Sequence, residues 1–397
     1  VDVEDDLRGA LGRQLAGVGT RRAGAAVERL IAGYRGDGPA PALRDRDDVA
    51  AYAAYRMPAT FQAVRAALGA LADAAPGWAP DSHLDVGGGT GAAVWAAAAV
   101  WPEGGPRPTV VLDRAEPALA LGRELAAGAS APAVRAAQWR REALGAARTG
   151  TGRVRNQPAD DTRHRQPGGS GGRPADASAG GPTAGSAHGP GVGSADGTAG
   201  SAWAPAGLVT VSYVLGELSE DVRREVVAEA ARGARGAVVV VEPGTPDGYR
   251  RVLAARQQLV EAGFEVLAPC PHSAACPMEG TADWCHFAAR VQRSALHRRV
   301  KGGELGHEDE KFSYVAAVRP GGTAGTGAAA PAAARVVRHP QLRKGLVLLE
   351  LCTAGEGLAR TTVSKRQGPR YRAARDVRWG DAWPPPQDDG HAGGAGA

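Results

Sequence analysis

A short apolar run, Leu84-Asp85-Val86, passes without a spacer into Gly87-Gly88-Gly89-Thr90-Gly91 and then into the helix-forming Ala92-Ala93-Val94-Trp95. Glycines let a backbone turn sharply and approach a ligand closely. At the carboxyl end of a strand, such a loop points to an open α/β sheet that holds a nucleotide over that edge. The strand-like runs that follow, Thr109 to Asp113, Leu208 to Tyr213 and Ala237 to Glu242, alternate with helical stretches, the pattern of a parallel sheet. Phe264 to Leu267 and Phe312 to Val318 read as its last two strands. Asp113 closes the second strand, where a carboxylate can accept hydrogen bonds from ribose hydroxyls. Asp85, Gly87, Gly89, Gly91 and Asp113 are therefore the candidate cofactor-binding residues. Gly87, Gly89 and Ala92 also satisfy the dinucleotide spacing, so the glycines alone do not choose between a nicotinamide cofactor and another nucleotide.

The remaining 397-residue chain divides by composition. Residues 1–80 read as a helical region, with Tyr52, Tyr55 and Phe61 near Val64 and Leu68 in a pattern punctuated by Pro58. Residues 81–320 carry the sheet. Within them, 149–202 is Gly, Pro, Ser, Ala and Asp almost throughout and buries too little to offset its ordering entropy, so a disordered insertion is expected. Residues 268–311 form a second insertion, rich in cysteine and basic residues. A break at Pro320 to Ala334 precedes a small extension, 335–383, and 384–397 is expected to be a disordered tail. No run of about 18 apolar residues occurs, and the acidic start, Val1 to Asp6, is unlike a targeting segment. A cytoplasmic protein without a membrane partner is the expectation, as a monomer. The net charge of +5 favours a polyanionic partner only weakly, because the abundance of Arg and Ala looks like coding bias.

All four cysteines, Cys270, Cys276, Cys285 and Cys352, lie in the last third of the chain. Buried thiols have no reason to concentrate in this way, and a reducing compartment disfavours disulfides. Four thiolates complete the shell of a zinc ion or of an iron-sulfur cluster. Gaps of five and eight residues between the first three do not match the short pairs of zinc ribbons, which tilts the choice towards iron-sulfur with zinc as the alternative. His272 and His286 adjoin the candidate ligands and could replace one. Because Cys352 lies beyond the break, one centre would staple the extension to the sheet domain.

Two basic clusters flank these cysteines. Arg290, Arg293, His297 and Lys301 recur at helical spacing, with Phe287, Val291 and Ala295 on another face and Arg298 and Arg299 adding charge. Further on, Lys365, Arg366, Arg370 and Arg372 are interleaved with Tyr371 and followed by Trp379. Arginines contact phosphates and aromatics stack on unpaired bases, so structured RNA is the expected partner of Arg290, Arg293, Arg298, Arg299, Lys301, Lys365, Arg366, Arg370 and Arg372.

The later strand ends, Val211-Ser212-Tyr213-Val214-Leu215-Gly216-Glu217-Leu218 and Glu242-Pro243-Gly244, resemble the class I methyltransferase layout, which favours S-adenosylmethionine as the nucleotide. Ala268-Pro269-Cys270-Pro271-His272, Cys276-Pro277, Asp283-Trp284-Cys285-His286-Phe287, Lys301-Gly302-Gly303 and Glu308 to Tyr314 resemble the bacterial branch of the mitochondrial small ribosomal subunit assembly methyltransferase-like family. Tyr55-Arg56-Met57-Pro58-Ala59-Thr60-Phe61 is similar to that family's helical entry motif. The resemblance implies an α/β class I (Rossmann-like) methyltransferase sheet with an N-terminal helical region, a cysteine-rich metal insertion and a small β-containing extension. It further implies a [4Fe-4S] cluster on Cys270, Cys276, Cys285 and Cys352, a donor pocket lined by Gly87, Gly89 and Gly91, and association with the small-subunit rRNA of the ribosome. No Asn-Pro-Pro-Tyr-like element follows the fourth strand, so the catalytic residue is unassigned, with a group near Ser212 or Tyr213 expected to face the substrate. An rRNA methyltransferase and a catalytically silent assembly factor both fit; a nicotinamide-dependent oxidoreductase fits the glycine loop alone.

Overall fold

A computed structural model describes residues 2–16, 20–35, 46–102, 107–145, 203–294, 298, 306–322, 324 and 329–385. The insertion expected at 149–202 and the tail beyond Pro385 lie outside the described residues. Helices α1 (Val3–Leu15), α2 (Thr20–Arg35) and α3 (Arg46–Ala74) precede β1 (His83–Val86), α4 (Ala92–Val100), β2 (Thr109–Asp113), α5 (Glu116–Ala127), α6 (Pro132–Arg135) and β3 (Gln138–Arg141). The second half of the sheet domain comprises β4 (Ala206–Ser212), α7 (Glu220–Gly233), β5 (Ala234–Pro243), α8 (Pro246–Glu261), β6 (Glu265–Ala268), β7 (Phe287–Gln292) and β8 (His307–Val318). The extension holds β9 (Ala334–Val336), β10 (Gln341–Arg343), β11 (Leu346–Thr353), β12 (Gly357–Ser364), α9 (Pro369–Asp376) and β13 (Ala382–Trp383).

The main sheet runs β3-β2-β1-β4-β5-β8-β6, with β7 paired to β8. The first five strands are parallel, and β8 is antiparallel to β5, β6 and β7. A parallel sheet with one reversed strand inserted next to the last is the class I methyltransferase order, and the expected strands occupy their expected places. The central strands β4 and β5 are buried along nearly their whole length, as a sheet covered on both faces requires. One face carries α3, α4 and α5, the other α7 and α8. Rather than forming a separate prelude, α3 lays Met57, Phe61, Val64 and Leu68 directly into the core of the first face. The strand missed in the sequence is β3, whose Gln-Trp-Arg-Arg is largely exposed and carries no apolar alternation.

The extension is a five-stranded antiparallel sheet, β10-β11-β9-β13 with β12 on the other side of β11. Its own core of Val336, Val347, Leu349, Leu351, Val363 and Trp383 is closed by Ala374 and Val377 at α9. One expectation fails in this part of the chain. Residues 287–292 form a strand, not a helix: Phe287, Ala289 and Val291 point inward and Ala288, Arg290 and Gln292 outward, a period of two. Phe287 and Val291 satisfy both periods, which is how the helical reading arose. Cross-strand pairing with 307–312 of β8 decides it.

Candidate donor pocket and four-thiol centre

The glycine loop follows β1 as expected. Gly87, Gly89 and Gly91 have φ of 67°, 52° and 82°, the left-handed region where side chains are strained. Gly88 is required for a different reason: a Cβ there would overlap the carboxylate of Asp85 and the side chain of Val111. Asp113 ties the loop to β2, accepting from the Gly89 amide at 2.9 Å through Oδ2 and from the Ala115 amide at 2.8 Å through Oδ1. Each oxygen keeps a further lone pair for a hydroxyl. Met57 on α3 accepts from the Thr90 hydroxyl at 3.4 Å, so the helical entry motif touches the loop directly.

Beneath the loop lies a buried chain of polar groups that sequence reasoning found only in part. Thr210 Oγ1 donates to Asp85 Oδ1 at 2.8 Å, and His83 Nε2 stands 2.8 Å from the same hydroxyl. Because the hydroxyl hydrogen goes to Asp85, His83 must donate through Nε2; its Nδ1 then remains an acceptor without a partner among the described residues. Burial drives the His83 pKa down to about 3, so the imidazole is neutral. Burial likewise pushes the Asp85 carboxyl up to about 7; the Thr210 hydrogen bond opposes the rise and Asp113 adds to it. Asp85 Oδ2 is fully buried with no hydrogen-bond partner among the described residues. An orphaned carboxylate oxygen under a glycine loop fits a cationic donor, since a positive charge nearby would repay its desolvation.

The end of β4, where an acceptor group was expected, is occupied. Tyr213 has φ 57°, the one described non-glycine residue in the left-handed region. Its hydroxyl donates to Glu310 Oε1 at 3.1 Å. Arg56 of the entry motif clamps both Glu310 oxygens at 2.7 and 3.0 Å, with its guanidinium 5.0 Å from the centre of the Tyr213 ring. Burial raises the Tyr213 pKa well above 10, and Glu310 raises it further, so the phenol stays a donor at neutral pH. Ser212 is buried beside it. Further along the same edge, the fully buried Glu242 accepts from the Leu215 amide at 3.0 Å and from Arg251 at 2.6 Å, fixing the turn after β4 to α8.

All four cysteines line one small cavity of about 20 Å³, together with Met278, Arg335 and Val337. None is in a disulfide. Cys270 follows β6, Cys276 and Cys285 sit in the loop before β7, and Cys352 comes from β11 of the extension. Their mutual placement shows in their electrostatics: burial raises the Cys285 thiol well above 9, and Cys270, Cys276 and Cys352 each raise it further. Cys352 is pushed up to about 12, first by burial and then by Cys270 and Cys276. Among the described residues, no group of three or more His, Cys, Asp or Glu is placed to share a single metal ion. His272 Nε2 approaches Cys352 Sγ at 3.8 Å, and the ring of His286 stacks on Trp284, 5.2 Å between centroids.

Two buried arginines adjoin the thiols, and neither stood out in the sequence. Arg256 of α8 donates to the carbonyls of His272 and Ala274 at 2.8 and 2.6 Å and lowers the Cys270 pKa against the larger effect of burial. Arg335 of β9 donates to the Pro269 carbonyl at 2.9 Å and to the Gly380 carbonyl at 3.0 Å. The Tyr249 hydroxyl lies 3.3 Å from Cys276 Sγ. Trp284 Nε1 donates to the Gly244 carbonyl at 3.0 Å, and Ser313 Oγ to the Cys285 carbonyl at 2.8 Å. The loop that carries two of the thiols is thus bonded directly to the end of β5 and the middle of β8.

The basic residues separate into two groups. Arg290 pairs with Asp309 at 3.0 Å and Arg293 with Glu308 at 3.3 Å across the β7–β8 ladder. The acids that neutralise them are distant in sequence, which is why the run looked uninterrupted. Arg298 donates to the Arg293 carbonyl at 3.0 Å, and Arg299 and Lys301 lie outside the described residues. Lys365, Arg366, Arg370 and Arg372 are all exposed and make no ion pair with a described acid; Arg370 lies over the Trp383 ring at 5.7 Å.

Several known proteins are similar to this chain. Magnesium protoporphyrin IX methyltransferase from Synechocystis PCC 6803, solved with bound SAH, shares 12% identity at a TM-score of 0.35, covering 74% of this chain and 93% of that one. An O-methyltransferase family protein from Burkholderia thailandensis shares 14% at 0.36, covering 74% and 68%. At such scores the fold assignment rests on the strand order itself. The human protein named "Ribosome assembly protein METTL17, mitochondrial" is 25% identical over 346 residues, 84% of this chain and 62% of that protein. "Rsm22-cox11 tandem protein 2, mitochondrial" of Schizosaccharomyces pombe is 26% identical over 185 residues, 38% of this chain and 24% of that protein. The chain therefore spans less than two thirds of the length of either relative. The family profile "Mitochondrial small ribosomal subunit Rsm22" matches residues 46–151 and 197–384, and the chain belongs to that family.

Proposed function

We propose that this chain is an S-adenosylmethionine-binding, iron-sulfur-bearing factor that acts on the RNA of the small ribosomal subunit during assembly. The observation that carries it is the meeting of all four cysteines in one cavity, at the junction between the methyltransferase sheet and an extension in which Lys365, Arg366, Arg370 and Arg372 make no ion pair with a described acid. Four thiols around one cavity can complete the shell of a [4Fe-4S] cluster, and gaps of five and eight residues between the first three are unlike the short pairs of zinc sites. Cys270, Cys276, Cys285 and Cys352 would hold it, with Arg256 and Arg335 offsetting its negative charge. When bound, it supplies four bonds that cross-link the two sheets. The donor would lie over Gly87, Gly89 and Gly91, its ribose on Asp113 and its positive charge towards Asp85; it supplies an electrophilic methyl group.

For the RNA surface, Lys365, Arg366, Arg370 and Arg372 are favoured over Arg290 and Arg293, because a phosphate would have to displace an aspartate or glutamate from the latter pair. Binding of small-subunit RNA by the protein purified without oxygen should weaken with salt, by about 0.9 in the log–log slope for each phosphate contact. Reversing Arg366, Arg370 and Arg372 to Glu is expected to lower that slope by roughly two to three and to reduce affinity at least tenfold. Reversal of Arg290 should leave both nearly unchanged. Equal losses from the two sets would defeat the assignment.

A second reading, a factor silent in methyl transfer, is favoured by one specific feature. At the end of β4, the oxygens of Glu310 are engaged by Arg56 and Tyr213, so neither residue offers a free base to an incoming acceptor. Incubation with radiolabelled donor and small-subunit RNA separates the two: label retained on protein but absent from RNA favours the silent factor, and label in RNA the enzyme.

A further inference from the structure

A groove of about 1170 Å³ runs between the carboxyl-terminal half of α3 and the 376–385 segment of the extension. One wall is made of small residues on successive turns of α3, Ala66, Gly69 and Ala70, and a Cβ built on Gly69 would meet nothing within 4 Å. The floor is aromatic: Phe287, Phe312 and Tyr314, with Trp379 at the side and 6.4 Å between the Phe287 and Trp379 ring centres.

Its polar groups ask for a cation. Asp73 on one lip and Asp376 on the other are exposed and make no ion pair with a described base. Asp381 adds a third carboxylate, already accepting from the Arg378 amide at 2.7 Å. Of the two guanidiniums present, Arg335 is committed to the carbonyls of Pro269 and Gly380, and Arg378 faces solvent. Tyr314, 6% exposed, has a hydroxyl without a hydrogen-bond partner among the described residues. The hydroxyl opens into the groove, where a peptide carbonyl could accept from it.

We propose that this groove docks a basic, extended protein segment, its Lys or Arg side chains set between Asp73 and Asp376 over the aromatic floor and a main-chain carbonyl on Tyr314. Cations favour both carboxylates and aromatic faces. Carboxylates on both lips disfavour a phosphate backbone, which separates this surface from that of Lys365 to Arg372. The acidic stretch Gln387-Asp388-Asp389 that follows the groove in the chain has the wrong charge to fill it.

The test is fluorescence anisotropy of a labelled nonapeptide of alternating Gly and Arg, with the Gly and Glu counterpart as control, on the full chain at moderate salt. Binding of the first with at least tenfold preference over the second is expected. Gly69→Leu should abolish it without unfolding the protein, because leucine is a better helix former and its side chain enters open space. Asp73→Lys combined with Asp376→Lys should reduce it at least tenfold, and Gly69→Leu should leave RNA binding unchanged. The proposal is overturned if the basic peptide fails to bind, if Gly69→Leu leaves its binding intact, or if that substitution removes RNA binding instead. It is equally overturned if basic-peptide binding appears only after truncation beyond Pro385, which would make the chain's own tail the occupant.

Discussion

Replacing Cys352 with serine is expected to remove most of the visible absorption and the bound iron of protein prepared without oxygen, and to free the extension. Cys352 is the one candidate ligand contributed by the small sheet, lying on β11 opposite Arg335 of β9 and Leu358 of β12. Serine keeps the size but offers a hard oxygen that binds iron poorly. Because a site of this kind does not exist in the unfolded chain, its binding free energy counts as folding free energy. The holo protein should lose more than about 4 kcal/mol, the range reserved for loss of a metal or disulfide. Limited proteolysis should then cut within residues 329–333, ahead of β9. In metal-free protein the same substitution should shift the unfolding midpoint little. An unaltered iron content and cleavage pattern in the variant would remove the cross-linking role.

That effect reaches the methyltransferase edge through identifiable bonds. Cys285 is held by Ser313 of β8, three residues from Glu310, and its neighbour Trp284 holds Gly244 at the end of β5. Gly244 in turn donates to the Lys311 carbonyl at 2.9 Å. The loop that carries two thiols is therefore tied to the strands that frame Tyr213. The two centres share strands rather than standing apart as separate modules.

How legible this was depends on the range of each interaction. The six strands placed from the sequence were legible because burial on both faces writes a continuous apolar signal, as in Val238 to Val241 or Val315 to Val318. The exposed β3 writes no such signal. The glycine loop and the cysteines were legible because their residue types are chemically unusual in clusters. Arg56, separated from Glu310 by 254 positions, was visible only as part of a motif, and nothing local to Arg335 or Arg256 distinguishes them from the many solvated arginines of this chain. The misreading of 287–292 has the same origin: the acids that pair Arg290 and Arg293 are brought in by a strand register that no local pattern encodes.

Changing Asp85 to asparagine should stabilise the ligand-free protein at pH 8 while weakening its hold on the donor. In the unfolded chain the carboxyl titrates near 3.8, and in the fold, burial and Asp113 carry it up to about 7 despite the hydrogen bond from Thr210. From about pH 4 to 7 the folded form binds more protons, so Asp85 makes stability fall as pH rises through that window, and the full cost persists above it. At about 1.4 kcal/mol per factor of ten, the cost at pH 8 is on the order of 4 kcal/mol. Asparagine leaves the Thr210 hydroxyl its acceptor but buries a new amide, so a recovery of ~1–3 kcal/mol is expected, with a flatter pH dependence between 5 and 8. A cationic donor works in the opposite direction. It favours the charged carboxylate, so donor affinity in the native protein should rise as pH passes from 6 to 8, and should lose both that rise and at least tenfold of its strength in Asp85→Asn. Stability against pH by denaturant titration, and donor affinity by calorimetry at the same pH values, test the two halves together. If the variant is no more stable at pH 8 than at pH 5 relative to the native chain, the buried carboxylate is not held at the energetic cost assigned to it. If its donor affinity is unchanged, the orphaned oxygen beneath the glycine loop serves something other than the donor's charge.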